Sequence, residues 1–254
     1  MRSLVKAAGV AALALLASGC TKTKPKTSAE LLLNERMAQV LLRDNRPIEA
    51  EKAFRECLKD DPKNPEVLDG LGVALLMQAR YKDSITPFDK AIALSPENGS
   101  IRNNRGVALM ELGQYKAAQD DFSVAAASQN PDDRISAMIN MGRLFQREGD
   151  YAAAETQFSA AIAHDPKVYA GYVGRAAARE SAGNLEGAAE DYLAAVKLEP
   201  GNPDANLRLG MVLVSMHKAD LGRRYLQRAV DLDPAGDTGA KARLLLENMA
   251  LKAP

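Results

Sequence analysis

The chain has 254 residues, with 33 basic and 33 acidic side chains and a formal net charge of zero. A nucleic-acid-binding protein needs a clustered basic face, so this even balance argues against such a partner. Aromatic residues make up only 5% of the chain, there is no tryptophan, and no stretch alternates as a half-buried strand does, so we expect closely packed helices and no sheet.

Residues 1–19 have the pattern of a bacterial signal peptide, in which Arg2 and Lys6 precede an uncharged run over 7–17. This run is shorter than the about 20 residues that span a bilayer. It leads into Leu-Ala-Ser-Gly-Cys, which resembles the lipobox of bacterial lipoproteins. The resemblance implies cleavage before Cys20, a diacylglycerol on its sulfur and an acyl group on its amine. A plain secretory signal with an incidental cysteine is the alternative.

A polar segment, TKTKPKTS, follows the cysteine over residues 21–28. It contains Lys22, Lys24, Lys26 and a proline, so we expect residues 20–28 to be the lipidated cysteine and a flexible tether. Eight extended residues reach at most about 27 Å. Thr21 stands where an aspartate would retain an enteric lipoprotein in the inner membrane. The resemblance therefore implies the periplasmic face of the outer membrane.

A pattern of 34 residues recurs along the rest of the chain. In the copy at 65–98, Gly72 lets a second helix approach, Phe88 fills the space between the helices, and Pro96 stops the second helix. The small column is Ala38, Gly72, Gly106, Gly142, Ala176 and Gly210; the bulky column is Phe54, Phe88, Phe122, Phe158, Tyr192 and Leu226; the proline column is Pro62, Pro96, Pro131, Pro166, Pro200 and Pro234. Such columns are typical of the tetratricopeptide repeat, a helix-turn-helix unit.

The sequence therefore predicts an all-α, right-handed superhelix of six helix-turn-helix repeats over 29–234, followed by a capping helix and tail over 237–254. The repeats are expected at about 31–64, 65–98, 99–134, 135–168, 169–202 and 203–236. Within the first, helices are predicted near 29–43 and 47–59. Two extra residues around Pro131 predict a longer link between the third and fourth repeats. The capping helix is predicted at 240–251.

No combination of residues indicates catalysis. His164 and His217 lie in different repeats without companion ligands, and no phosphate-binding glycine loop is present. Cys57 lies at a position where the next two repeats have Ala91 and Ala125, so it is predicted to be buried and unreactive. The pairs Asp120-Asp121 and Asp132-Asp133 are interpreted as solvated or helix-capping carboxylates. We therefore expect no catalytic residue, metal site, cofactor or small-molecule substrate.

In a stack of helical hairpins, the first helices line the concave face. The predicted partner-binding residues on this face are Leu42, Val73, Leu76, Met77, Asn103, Val107 and Met110. An apolar stripe with methionines suits an amphipathic segment of a partner, because methionine adapts its shape and apolar burial is non-directional. Alternatively, these residues only pack against neighbouring second helices. A clamp for a terminal carboxylate is not expected, because Glu35 and Asp69 lie at the inner positions.

Cys20, a short tether and repeats that fill the remaining chain together resemble the type IV pilus pilotin lipoproteins, the PilF, PilW and Tgl group. The most suggestive residues are 103–106, 113–115, the junction at Pro131, and 140–142; the myxobacterial members are nearest in size and in lipidation position. The resemblance implies a non-catalytic outer-membrane lipoprotein that binds secretin subunits and promotes assembly of the secretin ring for type IV pilus biogenesis and motility. A Tad (Flp) pilus assembly lipoprotein and a general envelope scaffold for peptidoglycan-associated complexes are the alternatives.

Overall fold

The computed structural model describes residues 28–251, which form thirteen α-helices joined by short turns. Within these residues there is no β-strand, which confirms the predicted all-α class. The predicted signal peptide, Cys20 and nearly all of the tether lie outside the described residues.

The first twelve helices form six hairpins of consecutive helices, and the thirteenth follows the last hairpin. The helices are α1 Ser28–Arg43, α2 Pro47–Asp60, α3 Pro65–Met77, α4 Tyr81–Leu94, α5 Gly99–Glu111, α6 Tyr115–Ala126, α7 Pro131–Glu148, α8 Tyr151–His164, α9 Tyr169–Ser181, α10 Leu185–Leu198, α11 Pro203–Ser215, α12 Ala219–Leu232 and α13 Asp237–Leu251. The bounds of α1 and α2 agree with the prediction to within one residue.

The turn inside each hairpin contains one residue in the left-handed conformation. These residues are Asn45, Ala79, Gly113, Gly149, Gly183 and His217, with φ between 56° and 82°. Glycine adopts this conformation without steric cost. Ala79 and His217 have a Cβ, so both carry a small conformational strain at the same position.

The small and bulky columns meet between the two helices of a hairpin. A Cβ built on Gly72 would lie 2.4 Å from the ring of Phe88, and one on Gly106 would lie 2.6 Å from Phe122. The phenylalanines of the bulky column are all fully buried: Phe54, Phe88, Phe122 and Phe158. Adding a methyl group at these glycines would overpack the hairpin, typically at about 1–3 kcal/mol.

The junction between the third and fourth hairpins differs from the prediction. It has four residues, 127–130, the same number as every other link between hairpins, so the expected longer link is wrong. The extra residues instead lengthen α7 to 18 residues, against 13 in α5. Pro131 therefore begins a helix, and the boundary predicted at 134/135 falls inside it. Proline can begin a helix as well as end one. At the first helical position its missing N–H is no loss, because that N–H would have no partner within the helix.

A buried ion pair connects the helices of the third hairpin. Arg105 of α5 donates from Nε and Nη2 to the two carboxylate oxygens of Asp121 in α6, at 2.7 Å each, and from Nη1 to Asp89 of α4. Asp121 is only 2% exposed, so its interpretation as a solvated or capping residue is wrong. The same geometry recurs in the fifth hairpin, where Arg175 of α9 donates to both oxygens of Asp191 in α10.

Helix α13 closes the C-terminal end of the stack. It contacts α12 and α11, and its Ala242 is buried with Leu207, Leu226 and Ala229. The capping helix is therefore confirmed, although it begins at Asp237, three residues before the predicted start.

Candidate partner-binding groove

The first helices of the hairpins form the inner layer of the superhelix. In succession, α1, α3, α5, α7 and α9 contact one another as well as their hairpin partners. The extensive contacts of the second helices are with first helices or with α13, so these helices form the outer layer. The inner faces of the first helices therefore share one continuous groove.

Three positions of each first helix face this groove, namely the first, fourth and fifth residues after the small column. In α5 and α7 these residues line a common cavity of about 470 Å³, together with Asn140: Val107, Met110, Glu111, Arg143, Gln146 and Arg147. By repeat register, the corresponding residues of α3 are Val73, Leu76 and Met77. The groove is therefore apolar at α3 and basic at α7.

The structure places the predicted apolar residues at different depths. Met77 is 39% exposed, whereas Met110 is only 4% exposed and belongs to the core cluster around Phe122. The other apolar members are partly buried against the core clusters: Leu42, Val73, Leu76 and Val107. Met110 therefore forms the floor of the groove, and a charge at this position would damage the core as well as any bound partner.

A row of polar side chains crosses the groove between neighbouring first helices. Asn104 of α5 donates to Asp69 of α3 at 3.0 Å. On the other side of α5, the predicted residue Asn103 accepts from Asn140 of α7 at 3.0 Å, and Asn140 in turn accepts from Arg143 at 3.1 Å. The groove floor is therefore tied together by side-chain amides from α3 to α7.

Asp69 is the titratable group of this row. Its pKa is raised from 3.8 to about 6, mainly by burial; the hydrogen bond from Asn104 offsets part of the rise, and the negative charge of Glu66 adds to it. The carboxyl group therefore changes its charge near neutral pH. The net charge of the groove then depends on pH at its apolar end.

None of the predicted partner-binding residues lies on α7. Arg143 also lines a second cavity, of about 250 Å³, with Tyr169 and Val173 of α9 and Arg208 of α11. Arg147 pairs with Glu111 at 2.6 Å, whereas the hydrogen bond of Arg143 is to the neutral amide of Asn140. The repeat register already indicated that Arg143 faces the groove, because Arg143 follows Gly142 as Val73 follows Gly72.

Cys57 and the two histidines lie far apart along the chain. Cys57 is buried, as predicted, and His164 and His217 are exposed in separate hairpins. Over residues 28–251, no group of three or more His, Cys, Asp or Glu side chains is placed to hold a metal ion. Within the same residues, no helix has both the length and the apolar character to cross a membrane.

Two tetratricopeptide repeat family models match the chain, one over residues 36–99 and 139–203 and the other over 88–120. Among curated proteins, the TPR repeat-containing thioredoxin TTL4 of Arabidopsis thaliana is 31% identical over 102 residues. That stretch covers 40% of this chain and only 14% of the plant protein.

Among solved structures, the chain is similar to PilW, described as a widely conserved type IV pilus biogenesis factor. The TM-score is 0.75 at 18% identity, over 85% of this chain and 99% of that one. Pseudomonas aeruginosa pilF has a TM-score of 0.68 at 18% identity, over 85% of this chain and 97% of that one. At these identities the likeness shows the shared fold.

Proposed function

The chain belongs to the tetratricopeptide repeat family, and from this premise we propose that it is a non-catalytic pilotin lipoprotein that binds secretin subunits and promotes their assembly for type IV pilus biogenesis. One observation carries the proposal: the superhelix is similar to PilW and pilF over nearly the full length of both proteins. Each hairpin counts as one repeat in this proposal, six in all. Tetratricopeptide repeat proteins mediate protein–protein interactions, which agrees with a groove that offers binding surface.

The proposal includes an anchor at Cys20, with the protein at the periplasmic face of the outer membrane. Its support is the lipobox resemblance and the short polar segment that follows. The anchor would hold the first hairpins near the membrane in which the secretin ring forms. The proposal requires no cofactor, nucleic acid or small-molecule substrate.

The secretin segment is proposed to bind along the inner faces of α1, α3 and α5. The contact residues are Leu42, Val73, Leu76, Met77, Asn103, Val107 and Met110. An amphipathic segment would place its apolar side chains on these apolar residues and its polar side chains toward Asn103 and the α7 residues Arg143 and Arg147. Burial of apolar surface would supply the affinity, and the polar row would fix the orientation of the segment.

Met77→Glu tests the groove directly. Met77 is 39% exposed, so the free protein should tolerate the charge within about 0.5 kcal/mol of its stability. In the complex the unpaired carboxylate would be buried against an apolar segment, at a cost of several kcal/mol. Secretin multimers, measured by immunoblot of cell envelopes, should therefore fall several-fold.

Val124→Glu is the matched control, because Val124 is 40% exposed but lies on the second helix α6, away from the groove. Its secretin multimers should remain at the wild-type level. If Met77→Glu is folded and still assembles the ring normally, the groove does not bind the secretin. Co-purification separates the alternative functions, since a Tad secretin or peptidoglycan enzymes in place of the type IV pilus secretin would contradict the proposal.

A further inference from the structure

Helix α1 presents an apolar face that no described residue covers. Leu33, Met37 and Val40 recur at the spacing of one helix face, and they are 58%, 60% and 47% exposed. Exposed apolar residues are common singly, but a row of large ones on one face marks an interaction surface. We call this row, Leu33, Met37 and Val40, the α1 face.

The repeat register shows that these positions are normally buried. In the next first helix, α3, the same positions are Val67, Leu71 and Ala74, which are 2%, 6% and 0% exposed. They pack in one cluster with Phe54 and Cys57 of the preceding helix α2. The α1 face therefore has the composition of a covered surface, but no described helix precedes it.

The second helix of the first hairpin also exposes one large apolar side chain. Its second position is Ile48, which is 71% exposed. At the corresponding position the other second helices carry Lys82, Lys116, Ala152, Glu186 and Asp220. The first hairpin therefore exposes apolar side chains on both of its helices.

Two basic residues border one side of the α1 face, and Glu30 lies on the other side. With 100° per residue in a helix, Arg36 and Arg43 lie together along one edge of the row, and both are exposed. An apolar face bordered by arginines is the pattern of a helix that lies in the interface of an anionic membrane. In the sequence, Lys22, Lys24 and Lys26 precede this helix.

We propose that the α1 face lies against the bilayer surface, inserting its apolar side chains among the acyl chains while Arg36 and Arg43 meet headgroup phosphates. This inference rests on the proposed lipid anchor at Cys20. Residues 21–28 reach at most about 27 Å when fully extended, so the anchor keeps α1 beside the membrane. A bilayer also accounts for both the apolar row and its basic edge. The contact would fix the orientation of the stack and hold the groove at a defined height above the membrane.

Tryptophan fluorescence of the lipidated protein tests this proposal, because the natural chain contains no tryptophan. Met37→Trp places one reporter on the α1 face, and Leu244→Trp places a matched one on α13 at the other end of the stack. Both side chains are similarly exposed, at 60% and 59%. Each variant is reconstituted into vesicles of phosphatidylethanolamine and phosphatidylglycerol with brominated acyl chains.

The emission from position 37 should shift to the blue and be quenched several-fold more strongly than that from position 244. Arg36→Glu with Arg43→Glu, added to the first reporter, should reduce this quenching. The same exchange at the exposed residues Arg223 and Arg224 should leave it unchanged. The intact mass of the reporter protein checks that Cys20 carries lipid in these samples.

Equal and weak quenching at both positions would overturn the proposal. A blue shift of the emission from position 37 in detergent that increases with protein concentration would mean that a second copy covers the α1 face. A blue shift that appears only when the secretin is added would mean that the secretin covers it. A mass without lipid would contradict the anchor, and with it this inference. Normal secretin assembly in cells that lack this protein, together with normal bromolipid quenching, would contradict the proposed function alone.

Discussion

The charge at the apolar end of the groove depends on one side chain, Asp69. Its carboxylate lies between α3 and α5, where it accepts a hydrogen bond from Asn104 at 3.0 Å. Burial opposes the charged form more strongly than this one amide supports it, so the pKa rises to about 6. A partner that covers the groove would remove more water from Asp69 and raise its pKa further.

The raised pKa predicts a pH dependence of stability. Between the ordinary value of 3.8 and about 6, the folded state binds more protons than the unfolded state. The contribution of Asp69 to the free energy of unfolding therefore falls as the pH rises through this window. Asp69→Asn removes the charge and should stabilise the protein at pH 7.5 by at most about 3 kcal/mol, since one pKa unit corresponds to about 1.4 kcal/mol.

Urea denaturation at pH 4.5 and pH 7.5 measures this effect as a difference from wild type. The gain of Asp69→Asn should be present at pH 7.5 and much smaller at pH 4.5. Asp44→Asn, at an exposed position after α1, is the control. An equal effect of Asp69→Asn at the two pH values would contradict the assigned pKa.

At the scale of helices, two arginines each join the helices of their own hairpin through a bidentate aspartate pair and also contact the preceding hairpin. Arg105 joins α5 to Asp121 of its own hairpin and to Asp89 of the preceding one. In the fifth hairpin, Arg175 likewise joins Asp191 to Ser159 of α8. Both arginines stand one residue before the small column, and both aspartates one residue before the bulky column. The pairs therefore form one structural motif, used twice.

Removing one partner of this motif should destabilise the stack. Asp121→Ala leaves Arg105 with only the half-exposed Asp89, and breaking a buried pair in this way typically costs about 3–5 kcal/mol. The fourth hairpin has Met141 and Gln157 at the same two positions. The double variant Arg105→Met with Asp121→Gln copies these two residues. It should therefore lower the free energy of unfolding clearly less than Asp121→Ala alone.

Thermal and urea unfolding of the two variants provide the comparison. If the double variant is as unstable as Asp121→Ala or worse, the loss of stability does not come from leaving Arg105 without Asp121. The hairpin would then depend on the ion pair itself.

The whole molecule is a linear stack with two different ends. Each hairpin contacts mainly its neighbours, so the stability is distributed along the array instead of residing in one central core. At the C-terminal end, α13 covers the last hairpin through residues such as Leu245 and Ala242. The α1 face at the other end has no comparable cover among the described residues, and this is the end nearest to Cys20 in the sequence.

The proposed anchor leads to a prediction for the complete protein. Cys20→Ser removes the sulfur that would carry diacylglycerol, so the product should lose the lipid mass and leave the membrane fraction or remain uncleaved. Helix content should not change, because Cys20 lies before the first hairpin and neighbouring hairpins supply the packing. Mass spectrometry and fractionation measure both effects, and a Cys20→Ser protein that still carries lipid would contradict the assignment.

The repeat columns determined the all-α class and the helix pairs, and the segment after the last repeat indicated the capping helix. This was possible because the contact between Gly72 and Phe88 is made within one hairpin and recurs at a fixed spacing. The lipobox resemblance at Cys20 also came from the sequence, and it stays a prediction because that residue lies outside the described structure.

Only the tertiary structure decided which of these positions are accessible and which charges are paired. Asp121 looked like a solvated carboxylate, but the approach of Arg105 from another helix buries it. Met110 has the same register position as Leu76, but its contacts with Phe122 of α6 and with α7 bury it in the core. Pro131 fitted the column of helix stops, but the chain continues there directly into α7. In each case the outcome depends on the distance between helices, and a repeat pattern specifies spacing along the chain but not the depth or partner of a side chain in the packed stack.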